Sequence, residues 1–127
     1  MINVIVNEGL YDKAFVDNWT VGFEKLRQHV QDYTPQKVEQ ITWVPAEQII
    51  KAARIYATTK PACIQDGNAI DDDINSVQTE RAISILRTIT GNLGIPGGEV
   101  DWAPLPLGMK PAYAPGGQKE SSFAPLR

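Results

Sequence analysis

Ala62-Cys63-Ile64, bounded by Pro61 and Gly67, is the one run in this sequence that reads as a buried strand, and it constrains the fold more than any other feature. A lone strand cannot pair its own N–H and C=O groups, so it needs neighbours. Every other periodic stretch reads as helix, about five or six in all. The expected class is α/β: helix-rich, with few strands of its own. The remaining strands are expected from outside these residues or from a second copy.

The helices announce themselves by their ends and their apolar spacing. Met1 to Val6 runs into Glu8-Gly9-Leu10-Tyr11-Asp12, which reads as a helix end and a turn, as if the chain began inside an element. Phe15, Val16 and Trp19 mark one helical face, and Val21, Phe23, Leu26 and Val30 continue at near-helical intervals about Gly22 as a second. Thr34-Pro35 supplies a capping hydroxyl and a proline at the first helical position, with Val38 and Ile41 as the expected buried points. Pro45 opens a further helix in which Ile49, Ala52, Ala53 and Tyr56 follow i, i+3, i+4, i+7. Past the loop Gly67 to Asn75, a cap at Asn75 or Ser76 precedes a helix with Ala82, Ile85, Leu86 and Ile89 on one face, ended by Thr90-Gly91-Asn92.

At 127 residues, 43% hydrophobic and 21% charged, the chain has room for one compact domain, expected over 1–99. Residues 100–127 carry a large share of the prolines and glycines with no periodicity, and are expected to be an extended tail. A formal charge of −3 with scattered Lys and Arg argues against a nucleic-acid partner, and no apolar run reaches the roughly 18 residues a membrane span needs. Cys63 is the only cysteine, which excludes an internal disulfide, a CxxC pair or a thiolate metal cage. Inside an apolar strand its thiol is expected to behave as a small buried hydrophobe. No GxGxxG follows the strand, so a nicotinamide dehydrogenase is not expected.

A set of words now stands in order: NEGLYDKAFV at 7–16, VGFEKL at 21–26, YTPQKVEQIT at 33–42, VPAEQI at 44–49, AARIYA at 52–57, KPACIQDGNA at 60–69 and RAISILRTITGNLGIPGG at 81–98. Together, and over about residues 3 to 100, they resemble the molybdopterin oxidoreductases of the dimethyl-sulfoxide-reductase superfamily, which includes formate dehydrogenases, thiosulfate reductases and acetylene hydratase. The resemblance implies an internal segment of a large catalytic subunit. There, αβα subdomains of dinucleotide-binding type hold molybdopterin guanine dinucleotide around Mo or W. It implies as partners the rest of a parent polypeptide and an electron-transfer subunit. An iron-sulfur cluster of the parent would lie outside this segment.

By the same resemblance, the passage from strand to loop runs beside the cofactor, which makes Gly67, Asn68, Ala69, Asp71 and Asp72 the candidate cofactor-binding residues. Ligands of open α/β sheets do bind beyond the carboxyl ends of strands, near helix N-termini with free N–H groups. Gly67 would let the backbone come close to a bulky ring. Where relatives carry an aromatic before the glycine, this chain has Asp66, and Asp71-Asp72-Asp73 would repel a diphosphate unless directed to solvent or cations. No residue matches the family's metal ligand and none is assigned a catalytic role. Alone, the chain is expected not to turn over substrate. His29 is expected at the surface, Trp43 and Trp102 in core or interface, Glu8 and Asp12 in caps and turns, Arg54 and Arg81 in surface or ion-pair roles. A second reading from another class is a stand-alone, non-catalytic helical interaction module. Exposed sheet edges and helix faces would favour association of copies, a dimer being the expected form.

Overall fold

The structure, a computed structural model, describes residues 1–99. The expected tail over 100–127, with Trp102, lies outside the described residues. Seven α-helices follow in order: α1 (Ile2–Asn7), α2 (Lys13–Trp19), α3 (Phe23–His29), α4 (Pro35–Thr42), α5 (Ala46–Thr58), α6 (Asn68–Asp71) and α7 (Ser76–Ile89), with a 3-10 turn at Val30–Asp32.

The short α1 holds the centre. Its sequence is rich in β-branched Ile and Val, poor helix formers in isolation, yet Val4, Ile5 and Val6 are all buried. Packing against α5 and the Val30 turn outweighs propensity. Asn3, also buried, donates from Nδ2 to the Val30 carbonyl at 2.7 Å. The helix stops in a Schellman arrangement: Leu10 N–H reaches the Ile5 carbonyl at 2.9 Å and Gly9 N–H the Val6 carbonyl at 3.3 Å. Gly9 takes the left-handed φ of 67° that this requires.

Two caps act as the sequence implied, whereas the cap expected at Asn75 or Ser76 forms no side-chain bond, Asn75 standing at the start of α7 without one. The Asp12 carboxylate accepts from Phe15 N–H at 2.9 Å, and the Thr34 hydroxyl from Lys37 N–H at 3.3 Å with Pro35 at the first position. On α5, Ile49, Ala53, Tyr56 and Ala57 form the buried stripe, while Ala52 is exposed. Val16, Leu86 and Ile89 complete the core from α2 and α7.

Several expectations are corrected. No strand forms among the described residues; the only bridge is an isolated parallel one between Leu93 and Glu99. Ala62-Cys63-Ile64 takes no regular secondary structure and meets side chains in place of a neighbouring strand, and Cys63 is exposed, not buried. Ile41 is 65% exposed and Ala82 is exposed, because each lies on a helix face that no other described element covers. Trp19 and Trp43 likewise stand at 78% and 89% exposure, and Val21 falls between α2 and α3, fully exposed.

On the surface, Arg54 of α5 clamps the Glu8 carboxylate through Nε at 2.8 Å and Nη2 at 2.7 Å, the ion-pair role expected of it. Hydrogen bonding to Arg54 holds Glu8 below the usual glutamate range. A carboxyl depressed in the folded state stabilises the fold above its unfolded pKa and loses that contribution as pH falls through the folded one. Urea midpoints of Glu8→Gln should therefore match those of the parent chain more and more closely as the pH drops below about 4. An unchanged gap between pH 7 and pH 3 would mean that this pair plays no part in acid stability.

Candidate functional site

The chain leaves α5 and runs along the C-terminal end of α7, where side chains substitute for a sheet partner. Ala62 N–H donates to Asn92 Oδ1 at 3.1 Å and Ile64 N–H to Glu99 Oε1 at 2.6 Å. Arg87, with its side chain only 14% exposed, directs Nη2 to both the Ile64 carbonyl at 2.6 Å and Asp66 Oδ2 at 2.9 Å. Its Nε lies 3.1 Å from Glu99 Oε1. Asn92 is fully buried and gives its amide to the Thr90 hydroxyl at 3.0 Å, which in turn donates to the Leu86 carbonyl at 2.8 Å. The buried Tyr56 hydroxyl approaches this network from α5, and burial raises its pKa.

This clasp delivers Asp66 to the surface and the loop begins one residue later. Gly67 is extended, with φ −179° and ψ −165°, a conformation open to any residue, and a Cβ built on it would meet nothing within 4 Å. Among the described residues, then, nothing demands a glycine, and the space beside it is open. Asn68–Asp71 makes a single helical turn closed by Ile70 N–H to the Gly67 carbonyl at 2.8 Å and Asp72 N–H to the Asn68 carbonyl at 3.0 Å. α6 rests on α7.

The five candidate residues Gly67, Asn68, Ala69, Asp71 and Asp72 thus share one exposed projection. Asp73 is exposed beside them, which answers part of the repulsion problem by directing that carboxylate to solvent. The first-turn N–H groups of α6, at Asn68 and Ala69, have no carbonyl within the helix to bond. The same short turn thus carries free N–H donors at its start and the exposed Asp71 and Asp72 carboxylates as acceptors at its end. They suit a diphosphate poorly, because carboxylates and phosphates repel. On α7, Glu80 faces the same cluster: burial, and then the nearby Asp66 carboxylate, push it above the usual glutamate range.

Other residues weighed from the sequence fall elsewhere. His29 is exposed with its ring 5.3 Å from that of Tyr33, Trp43 ends α4 in the left-handed region with φ 61°, and Arg81 is exposed. Arg87, Asn92 and Glu99 were not singled out by sequence. The available signal was a second half-buried stripe on α7 formed by Glu80, Ile83 and Arg87 at i, i+3, i+7. Among the described residues no group of three His, Cys, Asp or Glu side chains is placed to hold a metal ion, and no helix is long and apolar enough to cross a membrane.

No family model matches the chain. Individual proteins do. It is 49% identical over 104 residues to acetylene hydratase of Syntrophotalea acetylenica, covering 82% of this chain and 14% of that protein. To formate dehydrogenase H of Escherichia coli it is 48% identical over 96 residues, covering 76% and 13%. To dimethyl sulfoxide reductase DmsA of the same organism it is 38% identical over 114 residues, covering 75% and 14%. Among solved structures, acetylene hydratase from Pelobacter acetylenicus superposes with a TM-score of 0.70 at 50% identity, over 72% of this chain and 12% of that one. The chain therefore spans 13 to 14% of the length of these curated relatives.

Proposed function

Because the chain belongs, over the stretch they share, to the molybdopterin oxidoreductases, we propose that it forms one wall of the cofactor cleft in a Mo- or W-dependent enzyme of that family. The cofactor would be molybdopterin guanine dinucleotide, and the Gly67–Asp72 loop the part of this chain that meets it. The observation that supports this reading best is the 49% identity to a segment of acetylene hydratase, combined with the exposed projection at the head of α6. The identity favours it over a stand-alone interaction module.

When bound, the metal and its pterins supply the redox or hydration chemistry. The chain's own residues bind and orient. Asn68 and Ala69 offer backbone N–H groups to ring acceptors, and Asp71 and Asp72 accept from ring N–H donors. The open space beside Gly67 admits the ring face. Exposed apolar side chains at Trp19, Val21, Ile41 and Trp43 fit contact with the remainder of a parent catalytic subunit. An electron-transfer partner and a substrate belong to that parent and are not assigned to these residues.

Titrating the 127-residue chain with guanosine and with 6-hydroxymethylpterin, followed by two-dimensional amide NMR, tests the loop assignment. Shifts should concentrate at Gly67 to Asp72, and Asp71→Asn with Asp72→Asn should weaken pterin binding by about tenfold, the loss of one or two charge-assisted hydrogen bonds. Shifts confined to other faces would sink the assignment.

A further inference from the structure

Among the described residues, the backbone from Gly67 to Asp73 bonds only within the loop, through Ile70 to Gly67, Asp72 to Asn68, Asp73 to Ile70 and Ser76 to Asp73, and Asn75 then joins α7 by accepting from Gln78 and Thr79 N–H. Its entry is therefore set by whatever fixes Ile64 to Asp66. Among the described residues that is Arg87 and Glu99: one Nη2 bridges the Ile64 carbonyl and the Asp66 carboxylate, and Glu99 Oε1 takes both Ile64 N–H and the approach of Arg87 Nε. Arg87 is also the cation among three carboxylates, Asp66, Glu80 and Glu99.

We propose that Arg87 is a positioning residue for the Gly67–Asp72 loop, holding Asp66 against α7 so that the exposed turn of α6 projects in one fixed direction. The geometry requires a guanidinium. Its planar fork serves the Ile64 carbonyl, Asp66 and Glu99 together, which a single ammonium cannot do. Without the cation, Asp66, Glu80 and Glu99 face one another with like charge, and Asp66, which directly precedes Gly67, takes the loop entry with it when it moves outward. What the loop is positioned for rests on the cofactor reading above; the anchoring itself does not.

Hydrogen exchange on the full 127-residue chain decides it. Arg87→Met should lower protection of the bonded amides of this stretch, Ile64, Ile70 and Asp72, by about tenfold or more, while α1 and α5 amides such as those of Ile5 and Ala53 stay within about twofold. Arg87→Lys should restore part of that protection. Asp66→Asn, at the accessible end of the same contact, provides the comparison should Arg87→Met not fold, and should loosen the same amides. Unchanged protection at 64–72 in both variants, or a loss spread equally over α1 and α5, overturns the proposal. A wild-type chain that binds neither guanosine nor 6-hydroxymethylpterin counts against the cofactor reading alone, because the exchange comparison needs no ligand.

Discussion

Replacing Ile5 by alanine is expected to lower the stability by about 2–5 kcal/mol, the cost of deleting a fully buried aliphatic side chain. Against a total of about 5–15 kcal/mol for a domain of this kind, that is a large share of what keeps it folded. Two features put this position at the severe end. Ile5 is completely inaccessible, and α1 has six residues with little helix propensity, so the helix exists only while it is docked. Undocking it would expose Ala53, Tyr56 and Ala57 of α5, which belong to the same core cluster. Circular dichroism in a urea series should show the midpoint falling by an amount consistent with that loss. A midpoint within experimental error of the parent's would mean that α1 is not docked as described.

Asn92→Ala should come next, with a loss of about 1–3 kcal/mol for leaving buried polar groups unpaired. The asparagine is fully buried, accepts from Ala62 N–H and donates to the Thr90 hydroxyl, so truncation strips a partner from each. Its backbone remains able to bond Glu99 N–H and the Arg87 carbonyl, which confines the damage to the side-chain contacts. Asn92→Asp keeps the shape and the acceptor but adds a charge close to Glu99, and should be at least as harmful as alanine. If both variants matched the parent in urea, the segment 62–64 would not depend on this clasp.

How much of this was open to sequence reasoning depends on the range of the interactions. Asp12, Thr34-Pro35 and the Gly9 stop are settled within a few residues, and each does in the structure what its local pattern implied. The Ile49, Ala53, Tyr56 spacing on α5 was readable for the same reason. Ala62-Cys63-Ile64 was misjudged because three apolar residues look alike whether their amides meet a strand or the side chains of Asn92 and Glu99, thirty or more positions later. The exposure of Cys63 followed from that error. Ile41 and Trp43 failed differently: periodicity marks an apolar face without saying whether anything described covers it. The five loop candidates are sequence neighbours, so their meeting in space was guaranteed. Their dependence on Arg87 was hidden, since a charged residue near a helix end usually belongs to solvent.

The exposed indoles have a practical effect. With Trp19 and Trp43 already facing water, unfolding changes their surroundings little, and in a Trp102→Phe background the emission of these two should barely shift in colour while helical ellipticity collapses. The same property makes them a sensitive optical sensor of the opposite event: a blue shift at constant ellipticity would signal that another protein surface has closed over them.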